Sequence, residues 1–455
     1  MGNQQVGNQQ VGKQQAELAE LVREILHEAR KQGTDAAEVS VSADAGLAVN
    51  VRKGEIENLE FNQDRGFGVT VYVGQSKGSA STTDSSATAI ADTVRAARDI
   101  AAYTEDDPCN GLADPDLMPD VLPELDLYHP WDVSPEAATD LAIACEAAGL
   151  DLGDPRLTRS DGAQVSTQRS IRAYGNSHDF VGVYSGTRHG ISTVYIAQDE
   201  QGMQRDYWYT SGRDAAELQS AGDVGVEAAR RTLARLSPRS APTGSYPVLF
   251  VPQLASGLFG SLLSAASGGA QYRKSTFLLD AVGEQVVPTW LSLVERPHLK
   301  KAIGSASFDG DGVATREQAF VRDGVLERYL LSTYSARKLG LKTTGNAGGI
   351  HNLDVESARP GLSEAQLRKE MGTGLLVCEL MGQGVNAVTG DYSRGAAGFW
   401  IEDGEIAFPV AELTIAGNLK DMYTTIVALG DDVDYRGNIR APSVLMEEMM
   451  VAGSG

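Results

Sequence analysis

The sequence predicts an α+β protein, and three observations carry that prediction. Segments with helical periodicity and segments with period-two alternation both occur, but not in the regular β-α-β order of a doubly wound sheet. Glycine is abundant at 50 residues while aromatic residues make up only 6%. Such a composition suits a loop-rich sheet protein with many tight turns and bulges. At 455 residues the chain also exceeds one ordinary hydrophobic core, so two or three domains are expected.

The elements follow in order. Residues 1–15 form a short Gly/Asn/Gln repeat without an apolar core, read as a disordered tail and not a signal peptide. The opening Met-Gly does not make a lipidation motif, because position 6 is Val6. Residues 16–32 place Leu18, Leu21, Val22, Ile25, Leu26 and Ala29 on one face of a helix, and Gly33 follows as a stop. Alternation over residues 38–43, 47–54 and 67–82 then predicts antiparallel strands. A second helix over 87–103 keeps Ile90, Val94, Ala97 and Ile100 in register. This first domain therefore spans 16–103, and the Pro/Asp-rich stretch 104–133 reads as a connector.

A further helix starts at Ser134, with Ser-Pro-Glu at its entry. Residues 158–209 are strand-rich, and a helix is expected near 215–236, so 134–240 forms a central segment. From 241 to 455 strands alternate with short helices, including a helix over 255–267 that is rich in small residues.

Composition narrows the function. The balance of 39 basic against 61 acidic residues gives a net charge of −22. Such a surface repels phosphate backbones and anionic membranes, so direct nucleic-acid binding is not expected. No run of 18 apolar residues is present, and no membrane span is expected. Cys109, Cys145 and Cys378 are widely spaced and odd in number, which points to a reducing cytoplasm.

Short motifs carry little. His27-Glu28 is the only His-Glu pair, and Lys31 and Gln32 stand where a second His would be needed. His178 and His189 lie on neighbouring predicted strands and could converge, although hydrogen bonding to loop backbone is the simpler role. Residues 268–275 have Walker-like spacing, but Arg273 replaces the second glycine. Residues 382–387 satisfy G-x-G-x-x-A but lead into turn-like sequence. Ser335 and Lys338 fit S-x-x-K, of which about one is expected by chance in a chain this long.

Longer segments are more specific. Residues 384–422 (GVNAVTGDYSRGAAGFWIEDGEIAFPVAELTIAGNLKDM), 333–352, 369–384, 231–239 and 173–189 together resemble, in one order, the TldD/PmbA peptidases, the "modulator of gyrase" family. That resemblance implies a smaller N-terminal domain and a larger, mostly antiparallel C-terminal domain. Metal-bearing members carry H-E-x-x-x-H on one helix and a third ligand, a Cys, near the C-terminus. Aligning the shared Arg273-Lys274 pair sets those positions at Gly260, Ser261 and Ala265, with Ala441 at the Cys. None can bind zinc, so the chain is similar to the PmbA (TldE) branch. The resemblance implies no cofactor in this chain, zinc in a TldD-type partner subunit, and small or unfolded peptides as substrates. A homodimeric peptide-binding protein without catalysis is the alternative, and hydrolysis through Ser335 and Lys338 a weaker one. Arg188, His189, Asp391, Tyr392 and Arg394, with Ser393, Phe399 and Trp400, fall in these matched segments, and Tyr272, Arg273 and Lys274 in the stretch 255–280, which resembles the family's metal-site helix. They form either a peptide groove beside strand edges or the packing of an interface and inner loops.

Overall fold

A computed structural model describes residues 2–453, with side chains from residue 10 onward. The fold is α+β and is built on three sheets. The first contains β1 (Ala36–Arg52), β2 (Glu55–Val73), β3 (Ser76–Thr82), β4 (Leu157–Asn176), β5 (Val181–Asp199) and β6 (Gly202–Gly212). Its order is β3-β2-β1-β4-β5-β6, antiparallel throughout. β1 pairs with β4 from Glu38↔Asn176 to Val51↔Ala163. Residues 16–103 and 134–240 therefore share one sheet and do not form two separate layers. Alternation locates strands, but it does not say which strands pair.

Helices cover this sheet as their apolar stripes require. α1 (Gly2–Lys31) buries Leu18, Leu21, Val22 and Ile25, and α2 (Ala87–Tyr103) buries Val94 and Ala97, against Val39, Val41, Val69 and Val71. α1 begins well before residue 16. Residues 2–15 are helical where a tail was expected, and the amide of Gln15 donates to Ser185 Oγ at 2.9 Å. Of that expected tail only Met1 lies outside the described residues. Ser86 caps α2 by accepting from the Ala89 amide.

At the other end of the sheet lie α3 (Pro135–Leu150) and α4 (Ala221–Ala234). They pack on Leu47, Val49, Val165 and Ile191. The two helices approach closely because Gly149 and Gly225 face one another. A Cβ on Gly225 would sit 2.1 Å from the Cys145 carbonyl oxygen.

The C-terminal region holds the other two sheets. One runs β10-β9-β8-β11-β16 and comprises β8 (Leu291–Glu295), β9 (Gln318–Arg322), β10 (Val325–Leu326), β11 (Leu353–Ser357) and β16 (Ile439–Arg440). The other runs β14-β13-β12-β7-β17-β15. It comprises β7 (Gly244–Phe250), β12 (Gly374–Met381), β13 (Asp391–Glu402), β14 (Glu405–Asn418), β15 (Ile426–Leu429) and β17 (Val444–Ala452). β14 also pairs with β17, which closes five of these strands into a ring. Short helices complete the region: α5 (Pro252–Ala265), α6 (Gly268–Tyr272), α7 (Thr333–Leu339), α8 (Glu364–Met371) and α9 (Leu419–Thr424).

The connector is docked, not free. Arg337 on α7 donates to the carbonyls of Cys109, Gly111 and Leu112. The sheet meets the C-terminal loops through an aromatic cluster of Tyr174, Phe180, Tyr184 and Phe308. Gly182 makes the room, since a Cβ there would stand 2.4 Å from the Phe308 ring. Among the described residues no helix is long and apolar enough to cross a membrane.

Candidate functional site

The helix predicted over 255–267 forms as α5. Pro252 sits in its first turn, where a missing N–H costs nothing. Leu258, Phe259, Leu262 and Leu263 bury one broad face in the largest core cluster. Ser267 ends the turn and caps α6 by accepting from the Ala270 amide. Gly268 lets α6 pass beneath α7, because a Cβ would lie 2.4 Å from Ser335 Oγ.

A cavity of about 520 Å³ opens on the remaining face of α5. Gly260, Ser264 and Ser267 line it from α5 and its end, Tyr272 and Tyr334 form one wall, and Ile350 and Ile439 form another. The two tyrosine rings meet edge to face, with centroids 6.0 Å apart. A cleft of about 850 Å³ adjoins it, between the first sheet and the loops around residues 306–310 and 347–351.

The positions expected to match a metal motif carry no ligating side chain. Gly260 faces the cavity. The Ser261 hydroxyl turns back to donate to the Gly257 carbonyl at 3.0 Å. Ala265 is 2% exposed and belongs to the core. Ala441 is fully buried in the same core, whereas Ile439 stands against Gly260. Glycine, hydroxyl and aliphatic groups in this arrangement do not fit zinc. Among the described residues no three His, Cys, Asp or Glu side chains are grouped to hold a metal ion.

The expected groove residues are scattered. Tyr272 lines the cavity, and Arg273 lies over its ring at 5.2 Å. Lys274 is exposed, with φ of 54°. Arg188 points elsewhere, bonded to Ser211. His189 is buried; its Nε2 donates to the His129 carbonyl at 2.8 Å and its ring meets Trp131 edge-on. Burial holds its pKa below the usual histidine value. His178 lies in the turn before β5, about eight strand residues or roughly 26 Å from His189, so the two do not converge. Asp391 caps a local turn through Thr389 and Asn418. Tyr392 is buried in the core, which pushes its phenol up to about 12. Arg394 is half-buried on β13. Of this set His189 and Tyr392 are buried and pack, whereas Arg188, Arg273, Lys274 and Asp391 are exposed.

Ser335 and Lys338 do not form a nucleophile and base. The Ser335 hydroxyl completes the capping box of α7 with Ser332, while Lys338 Nζ is 2.8 Å from Asp107. Residues 268–272 form a short helix, and residues 382–387 are followed by β13, not a helix, so neither makes a phosphate loop.

One constellation was not foreseen. Glu295, 1% exposed, ends β8 beside the loop 343–352. Its Oε1 accepts from Asn346 Nδ2 (2.9 Å), the His351 amide (2.8 Å) and His351 Nδ1 (2.9 Å). Its Oε2 accepts from Gln318 Nε2 at 2.8 Å. Asp309 holds the same loop from the other side, accepting from the amides of Asp311, Val313 and Ala347. Burial first, and the nearby Asp311 charge second, push the Asp309 carboxyl up to about 7 despite those donors. The sequence signal was a carboxylate closing the apolar run LSLV, followed by Asn346 and His351 in a family-matched segment.

Three family models cover most of the chain: PmbA/TldA metallopeptidase domain 1 over residues 37–101, the central domain over 128–236 and the C-terminal domain over 243–453. The chain belongs to the PmbA/TldD metallopeptidase family, and its relatives place it in the PmbA branch. It is 53% identical to the metalloprotease PmbA of Escherichia coli O157:H7, across 92% of this chain and 93% of that one. It is 46% identical to the PmbA homologue of Haemophilus influenzae, across 96% of each. Among solved structures, a Bacteroides thetaiotaomicron protein named for modulation of DNA gyrase superposes with a TM-score of 0.90 at 28% identity, over 96% of this chain and 98% of that one. TldE of Thermococcus kodakarensis shares the fold, with a TM-score of 0.79 at 20% identity over 95% and 100%.

Proposed function

We propose that this chain is the metal-free subunit of a two-chain cytosolic peptidase that acts on small or unfolded peptides. A TldD-type partner supplies the zinc, the polarised water and the general base. This chain supplies wall, entry filter and stability. The observation that carries the reading is α5, where Gly260, Ser261 and Ala265 offer no ligand.

Assembly with another chain is supported by the free part of β2. Residues 55–65 lie beyond the reach of β3, and Ile56, Leu59 and Phe61 are exposed there. A bulge near Asn50/Val51 puts all three beside Val51, Val49 and Leu47, so they extend a buried apolar row into solvent. The same surface suits a homodimer, the alternative reading.

The test is metal content and peptide cleavage of the purified chain, alone and with a TldD-type chain. The expected result is no stoichiometric zinc and no cleavage alone, with cleavage on mixing. Full activity of the lone chain with one bound zinc refutes the proposal. Recovery from cells only as a self-pair selects the homodimer.

A further inference from the structure

The cleft and the cavity meet at one strip of backbone: Gly348, Gly349 and Ile350 line both. Gly348 and Gly349 adopt φ of 98° and 116°, and a Cβ on either would meet nothing within 4 Å. The strip is bare on its open side and braced beneath. Glu295 holds Asn346 and His351, and Asp309 holds the Ala347 amide. A braced, side-chain-free backbone at the junction of two hollows suits the backbone of another extended chain.

The two hollows differ in chemistry. The cleft includes Arg172, Asp309 and His351. No charged side chain lines the smaller cavity, whose walls are glycine, serine, leucine, isoleucine, asparagine and two tyrosines. A charged group entering it would lose water, and the nearest charges, Arg273 over Tyr272 and Lys338 over Tyr334, stand behind the tyrosine walls and outside the lining. We propose that an extended peptide crosses Gly348-Gly349 and buries one uncharged apolar or aromatic side chain in the cavity under Gly260. This rests on the peptide-handling reading above and adds which side chain is selected.

Gly260 then has a physical reason to lack a side chain. A Cβ there would meet only Ile439 Cδ1, at 3.4 Å, so a larger residue is tolerated by the helix but occupies the cavity. Gly257, nearly one turn earlier, is exposed, lines neither hollow and has nothing within 4 Å of its Cβ position, which makes it the matched control.

The experiment is fluorescence anisotropy of the full chain with fluorescein-labelled Gly-Gly-Phe-Gly-Gly and its Asp and Lys counterparts. The Phe peptide is expected to bind roughly tenfold or more tightly than either, the usual worth of burying one aromatic ring. Gly260→Leu removes that preference and Gly257→Leu keeps it. Equal affinities, no binding at all, or an intact preference in Gly260→Leu overturns the proposal. If Gly260→Leu melts early by circular dichroism, the comparison of Phe with Asp and Lys on the unaltered chain still decides. Binding is read without cleavage, so zinc-dependent activity of the lone chain would sink the metal-free reading and leave this one standing. Indifferent binding would sink only this one.

Discussion

Glu295→Ala is the most informative single change, because one buried carboxylate organises the loop that divides the two hollows. The substitution removes the acceptor of four hydrogen bonds, from Gln318, Asn346 and, twice, His351. A stranded buried donor costs about 1–3 kcal/mol, so a simple sum reaches about 4–12 kcal/mol. The structure argues for less. Gln318 Nε2 keeps the Thr344 carbonyl at 2.8 Å, and Asn346 Nδ2 keeps the Gly349 carbonyl at 3.1 Å. His351 borders the cleft, where water can replace the lost oxygen. That leaves about 2–4 kcal/mol, concentrated in the loop. A chain with three sheets need not unfold in one step, so a global midpoint is a poor readout. Amide hydrogen exchange resolved to residues 343–352 is the right assay. Protection there should fall by about two orders of magnitude or more, with α1 and β1 unchanged. Unaltered protection of the loop would refute the view that Glu295 braces it. Glu295→Gln should be milder, since one oxygen still accepts while the new amide faces a donor.

Three more outcomes are expected. Asp309 holds its proton more tightly folded than unfolded, so its contribution to stability is fullest below about pH 4 and declines as the pH rises to about 7. Protection factors in residues 309–313 and 345–349, taken relative to the intrinsic exchange rate at each pH, should therefore fall over that range, and Asp309→Asn should remove the trend; a trend that survives the substitution contradicts the assignment. Gly149→Ala should loosen α3 from α4 at a cost of about 1–3 kcal/mol, because its Cβ would lie 2.4 Å from the Tyr195 ring and 2.8 Å from the Gly225 carbonyl. Thermal melting checks this, and an unchanged melting temperature tells against the close contact. Phe61→Asp should weaken association with any second chain, measured by analytical ultracentrifugation; an unaltered mass distribution removes β2 from the interface.

Much of the local structure was legible in the chain. The helices expected over 16–32 and 87–103 form because each has an apolar stripe wide enough to recognise without a partner. Ser134 caps α3 as its neighbours suggested. The candidate site was legible in part, since Gly260, Tyr272 and Ser335, all singled out in the sequence, line the cavity. Arg188 and His189, and Asp391 and Tyr392, lie in other matched segments, which fold away from the cavity.

By itself the sequence determined the fold class, the family and the lack of metal-binding groups at positions 260, 261, 265 and 441, since these depend on residue type and order. Only the tertiary structure decided what those positions touch. β1 runs unbroken through Asp44, Ala45 and Gly46, where alternation lapses, because β2 and β4 satisfy its backbone on both sides. Glu295 reaches Asn346 and His351 across some fifty residues of chain, since a buried carboxylate must find donors wherever the fold brings them. Sequence patterns encode the periodicity of one element, whereas partners distant in the chain are chosen by packing and by the need to pair buried polar groups.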